Sequence, residues 1–185
     1  MTKKSPYLLI LLFSVIFYGC PYQSPVELCT YEEALKTDKN LEGIWVAFHA
    51  DGSKDELLIE KIAKSVLQVS HKELDKNDRS KGINKYRAYA TNLNGVVLFN
   101  IETKENKYLL SKYGWTSKNE FYLQTINEEY MAKNFVVDSV TIDNLKSFLF
   151  DIANRDEIYD EQIEFYRKDS PEYLKVKMFM KKSGF

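Results

Sequence analysis

The feature that most constrains this chain is a series of short segments whose apolar and polar side chains alternate with a period of two, joined in pairs by turns. Ile44, Val46 and Phe48 alternate with Trp45, Ala47 and His49, and Asp51-Gly52 follows as a turn signal. Runs 57–62 and 66–71 are separated only by Ala63, Lys64 and Ser65. Runs 86–92 and 96–103 flank Leu93-Asn94-Gly95, and runs 108–115 and 120–126 flank Thr116-Ser117-Lys118-Asn119. Each pair reads as a β-hairpin. The polar, glycine-containing stretch 74–85 reads as a long loop, a kind of segment that is either mobile or functional.

A helical period enters late. Ile142, Leu145, Phe148, Leu149 and Ile152 recur at spacings of three and four, with Ser139 or Thr141 available as cap. Ile163, Phe165 and Arg167 return to alternation, and Ser170-Pro171 supplies a cap and a first-turn proline for a C-terminal helix. Thr30 and Glu33 predict a short helix over residues 30–35. The expected fold is mainly β (α+β): an antiparallel meander of about eight strands forming a barrel or strongly curved sheet. One amphipathic helix precedes the last strand, and a short helix ends the chain. About eight strands is the size at which a closed barrel either holds one small ligand or is filled by its own side chains.

The N-terminus has a different character. Lys3 and Lys4 precede a run over residues 7–18 that is apolar apart from Ser14 and stops at Gly19, Cys20 and Pro21. A span needs about 20 apolar residues, so the run reads as a secretory leader rather than a membrane helix. The residues Phe17-Tyr18-Gly19-Cys20 resemble the lipobox of bacterial lipoproteins, in the looser form of Bacteroidota. The resemblance implies cleavage after residue 19 and acylation of Cys20, with palmitate-like chains as the membrane anchor. Pro21 rather than Asp after the cysteine implies the outer membrane, and the lack of an acid before Glu27 implies the periplasmic face. The expected organisation is a signal peptide over 1–19, a lipidated cysteine with tether and short helix over 20–40, and a single domain over 41–185.

Without its leader the chain loses two of its 26 basic residues and none of its 27 acidic ones, leaving a net charge of about −3 with the signs interspersed. That composition argues against a nucleic-acid partner. Thirteen tyrosines and 11 phenylalanines suit strands and argue against disorder. Two histidines, His49 and His71, are too few for a three-histidine metal site, and no Cys-x-x-Cys, H-E-x-x-H, P-loop or G-x-S-x-G occurs. Each histidine sits at a strand end, where a solvated imidazole is expected. The oxygens of residues 51–56 lack the later ligands of a calcium loop and read as a turn, and the acids Asp156, Glu157, Asp160 and Glu161 read as a solvated segment. Cys29, left without a partner if Cys20 is lipidated, reads as a buried small hydrophobe or an exposed thiol, with acidic neighbours that disfavour a nucleophile. No metal, cofactor or catalytic residue is assigned.

Gly43 and Trp45 at the start of the first long strand resemble the Gly-x-Trp motif of lipocalin and lipocalin-like barrels. The resemblance implies that Trp45 closes the barrel base under an arginine from a late strand, for which Arg167 is the positional candidate. It also implies a non-enzymatic domain that takes a small apolar or amphipathic ligand, with Trp115, Tyr113, Phe121 and Tyr122 as candidate lining residues. The competing expectation is a protein-interaction lipoprotein with a filled core, such as an inhibitor, immunity factor or envelope-complex subunit. The partners implied are the membrane, through Cys20, and either that ligand or an envelope protein.

Overall fold

Alternation along each segment becomes a continuous ladder in space. The computed structural model describes residues 21–183, so the leader and Cys20 lie outside the described residues. Strands β1 (Gln23–Ser24), β2 (Gly43–Phe48), β3 (Lys54–Lys61), β4 (Leu67–Leu74) and β5 (Ser80–Leu93) are followed by β6 (Val96–Glu102), β7 (Tyr108–Ser117) and β8 (Glu120–Thr125). Helices α1 (Glu128–Asn134) and α2 (Ile142–Ile152) precede β9 (Ile163–Arg167), and α3 (Pro171–Lys182) follows it. Each strand from β2 to β9 pairs antiparallel with the next, and β9 returns to β2 with Trp45 opposite Arg167. The eight strands therefore form a closed antiparallel barrel, which leaves no long unpaired edge.

Closure divides most of the buried apolar residues between two large cores, with a small third cluster of Cys29, Val66 and Tyr89. Trp45, Leu57, Ile59, Leu67, Ala88, Ala90, Phe99, Phe121 and Phe165 face inward and cluster inside the barrel. The opposite-facing Leu98 and Leu110 join Leu145, Leu149 and Ile152 of α2 in a second core on the outer wall. The helix is set by its sequence: Thr141 caps it in a reciprocal box with Asn144, and its i, i+4 and i+7 positions are the buried ones. Each buried leucine contributes about 1.5–3 kcal/mol.

The segment expected to be a tether is part of the fold. Gln23 pairs with Leu109, and the Tyr22 N–H donates to the Ile126 carbonyl at 2.8 Å. Leu28 and Cys29 are buried, and the fully buried Asn100 side chain accepts from the Leu28 N–H at 2.7 Å. Cys29 is thus a buried thiol, pushed up by burial, and not an exposed one. Thr30 and Glu33 form their reciprocal cap, but the expected helix stops after one turn because the Leu35 N–H donates to Ala90 of β5 instead.

The long loop expected over 74–85 is a correction too. Only residues 75–79 form the turn, and β4 and β5 continue on either side as an exposed two-stranded ribbon. Apart from the buried Leu74 its side chains meet water, so no apolar alternation marks it. It is held by backbone pairing and by the Asp75 carboxylate, which accepts from the N–H groups of Asn77 and Arg79, both at 2.8 Å. Helix α1, not foreseen from periodicity, is seven residues long and capped by Asn127.

A local test of the barrel wall lies at Gly114, where an added Cβ would meet the Tyr122 ring at 2.6–2.7 Å. Tyr122 lies across the bare backbone of its cross-strand partner. Gly114→Val is expected to destabilise by about 1–3 kcal/mol through overpacking, and Tyr122→Ala in the same background should recover part of that loss in urea unfolding.

Candidate functional site

The two ends of the barrel have different chemistry. At the end where β2 begins, the Trp45 indole is fully buried and its N–H donates to the Leu41 carbonyl at 2.8 Å. The Arg167 guanidinium lies over that ring, 4.3 Å from its centroid, and donates to the carbonyls of Glu42 at 3.1 Å and Asn40 at 2.5 Å. Gly43 makes room for it. The glycine sits at φ +133°, and a Cβ there would lie 2.9 Å from the Arg167 Nη1. Backbone, indole and guanidinium therefore close this end as one unit.

The four candidate lining residues do not act together. Phe121 is buried, with its ring 4.7 Å from Trp45 and 5.2 Å from Phe165. Trp115 faces the same interior and donates to the Asp38 carboxylate at 3.0 Å, and Tyr113 stacks at 4.7 Å from Phe99. Tyr122, by contrast, lies on the outer face against Gly114, because adjacent strand residues point to opposite sides. The three inward rings pack against other interior rings, and Tyr113 also borders a small cavity. Among Leu67, Ala90, Phe99, Tyr113 and residues 35–38, a cavity of about 30 Å³ is left, room for one or two water molecules.

At the opposite end the chain's two histidines meet on one carboxylate. His49 Nε2 is 2.8 Å from Asp55 Oδ2, and His71 Nε2 is 2.7 Å from Asp55 Oδ1. Strand register brings them together: Ala47 pairs with Asp55 and Leu57 with His71, so Asp55 and His71 share a face with Leu57. The expectation of separately solvated imidazoles is corrected by this bridge. Burial raises the Asp55 carboxyl, but hydrogen bonds from both histidines outweigh it and hold the group far below the ordinary carboxylate range. The same hydrogen bond raises His49 above its ordinary value, with burial opposing. Both carboxylate oxygens are engaged by imidazoles, and no group of three or more His, Cys, Asp or Glu among the described residues is arranged to hold a metal ion.

The remaining candidates have local roles. Asp51 accepts from the Ser53 N–H at 2.9 Å and hydroxyl at 2.6 Å, which makes residues 51–53 a side-chain-stabilised turn. Asp160 accepts from Thr125 at 2.9 Å and from Asn127 at 2.6 Å, tying the segment after α2 to the end of β8. None of the helices in the described residues is long and apolar enough to cross a membrane.

No protein-family model matches the chain, and no curated protein or solved structure matches it either.

Proposed function

We propose that this protein is a lipid-anchored interaction protein of the bacterial envelope, whose barrel is a rigid support and whose outer surface meets a partner polypeptide. The observation that carries the choice over a small-ligand carrier is the packing of aromatic side chains inside the barrel, with only a small cavity beside them. Ligand pockets run from about 300 to 1,000 Å³, an order of magnitude above the cavity of about 30 Å³ beside Tyr113. Trp45, Trp115, Phe121 and Phe165 occupy the place a ligand would take. The lipocalin-like reading of Gly43, Trp45 and Arg167 then describes how the barrel is closed, and not what it carries.

The outer surface offers apolar groups for such a contact. Leu174, Met178 and Phe179 of α3 are 45%, 59% and 67% exposed, and Val136 between α1 and α2 is 82% exposed. Aromatic and methionine side chains of this kind are enriched at protein interfaces.

Native mass spectrometry of the full chain, extracted in mild detergent from its own membranes, tests the reading. The expected spectrum shows the acylated chain alone or with a second polypeptide. A stoichiometric extra mass of lipid or metabolite size, retained after the detergent is stripped, would restore the carrier reading. The anchor has its own test: Cys20→Ser is expected to move the chain from the membrane to the soluble fraction and to abolish its acyl mass. A variant that stays in the membrane with unchanged mass would refute lipidation at Cys20.

A further inference from the structure

Outside the barrel, a cleft of about 290 Å³ lies between α3 and the outer face of β2, β3 and β4. Its floor is built by register. Val46, Glu56 and Lys72 form one row across the three strands, and Lys54 and Leu74 belong to the next. Tyr173 and Lys177 of α3 form one wall, Lys168 stands at the exit of β9, and Asp78 comes from the β4–β5 turn. The apolar side chains Val46, Leu74 and Tyr173 therefore lie among four lysines and two carboxylates.

The charges are not balanced. Lys54 is paired with Asp78 at 2.6 Å and Lys168 with Glu56 at 2.7 Å, which accounts for both carboxylates. Lys72 opposes Glu56 across the ladder, but that carboxylate is already engaged by Lys168. Lys177 rests over the Tyr173 ring at 5.5 Å. Among the described residues neither Lys72 nor Lys177 has an ion pair or a side-chain hydrogen bond. Four lysines thus line one concave, partly apolar space against two carboxylates, with Lys72 and Lys177 lacking an ion-pair partner of their own, and such a concavity focuses field and favours anions.

We infer that this cleft binds a small organic phosphate, its phosphate held between Lys72 and Lys177 and its organic part against Leu74, Val46 and Tyr173. Lys is a common phosphate binder through its point charge and three donors. The volume suits a phosphate on a short organic body, not a large cofactor. The phosphate could belong to a soluble phosphomonoester or to the headgroup of an anionic lipid, and both present the same group to the lysines. The site lies outside the filled barrel, so it stands whether or not a partner polypeptide is found.

The test is calorimetric titration of the detergent-solubilised full chain with glycerol 3-phosphate, using glycerol as the uncharged control. A parallel arm adds phosphatidylglycerol to the micelles against phosphatidylcholine. Saturable binding is expected in at least one arm, and the arm in which it occurs names the source. The Lys72→Gln, Lys177→Gln pair should weaken it about tenfold or more, as loss of charged hydrogen bonds does. Glu56→Gln, which releases Lys168, should strengthen it. Lys175→Gln, which does not line the cleft, should leave it unchanged. Absence of saturable binding in both arms, or equal weakening by Lys175→Gln and by the lysine pair with circular dichroism unaltered, would overturn the assignment.

Discussion

Trp45→Ala is expected to cost about 3–5 kcal/mol, a large part of the about 5–15 kcal/mol that holds an ordinary domain together. The indole has no exposed surface, and it contacts three aromatic or cationic neighbours, with centroid distances of 4.7 Å to Phe121, 5.7 Å to Trp115 and 4.3 Å to the Arg167 guanidinium. Truncation would empty the barrel base and leave the Leu41 carbonyl without its indole donor. Arg167→Ala should cost less, about 1–3 kcal/mol, since it removes a cation–π contact and two hydrogen bonds but leaves the indole in place. The two losses should not add. A double-mutant cycle in urea is expected to show a coupling of about 0.5–2 kcal/mol, the range for side chains in direct contact. Gly43→Ala should fall on the same unit, because a Cβ at φ +133° is strained and meets Arg167 Nη1 at 2.9 Å. A Trp45→Ala midpoint within error of the wild type would show that the barrel end is not closed by this residue.

How much of this was legible in the sequence depends on whether a feature is local. The inward positions of β3 follow from alternation, since Leu57 and Ile59 are apolar at every second position, whereas β2 and β6 are apolar on both faces and do not show from sequence which side Trp45 or Phe99 takes. The α2 helix was legible because cap and periodicity agree over Thr141, Leu145 and Leu149. Closure was legible only through the Gly43 and Trp45 resemblance, which pointed to Arg167 as the late-strand partner; no local pattern shows it, because the pairing of Trp45 with Arg167 joins residues more than a hundred positions apart. The ribbon on either side of the 75–79 turn buries only Leu74 and so carries no apolar pattern to read, and Pro21 and Pro25 disguised a packed segment as a tether. The histidine bridge fell between these cases. Its residues are hydrophilic and widely spaced, and a slip of one residue in either hairpin would send one partner to the opposite face. The signal was present in the turns: once the links at 49–53 and 62–66 are given their lengths, Asp55 and His71 fall on one face beside His49.

That bridge makes fold stability depend on pH in a direction its geometry sets. His49 is raised in the fold above its ordinary value near 6.5, so its contribution is fully present below that pH and is lost as pH rises through the folded value. Asp55 is depressed, so its contribution is present above the ordinary carboxylate value near 3.8 and is lost only in strong acid. The wild type should therefore have its highest unfolding midpoint between these two ordinary values and should weaken from pH 6 to pH 8. Asp55→Ala is expected to cost about 2–4 kcal/mol at pH 6, where it deprives two imidazoles of a shared, partly buried acceptor, and less at pH 8. Asp55→Asn keeps the volume but not the charge, so it should flatten the pH profile with a smaller loss of stability. Urea unfolding of the three proteins at pH 5, 6, 7 and 8 would separate these effects. Parallel profiles for Asp55→Asn and the wild type would mean that the carboxylate holds His49 without favouring its charged form, and the pH dependence would have to come from elsewhere. A flattened profile would establish the bridge as the proton-linked group at this end of the barrel, opposite the tryptophan that closes the other.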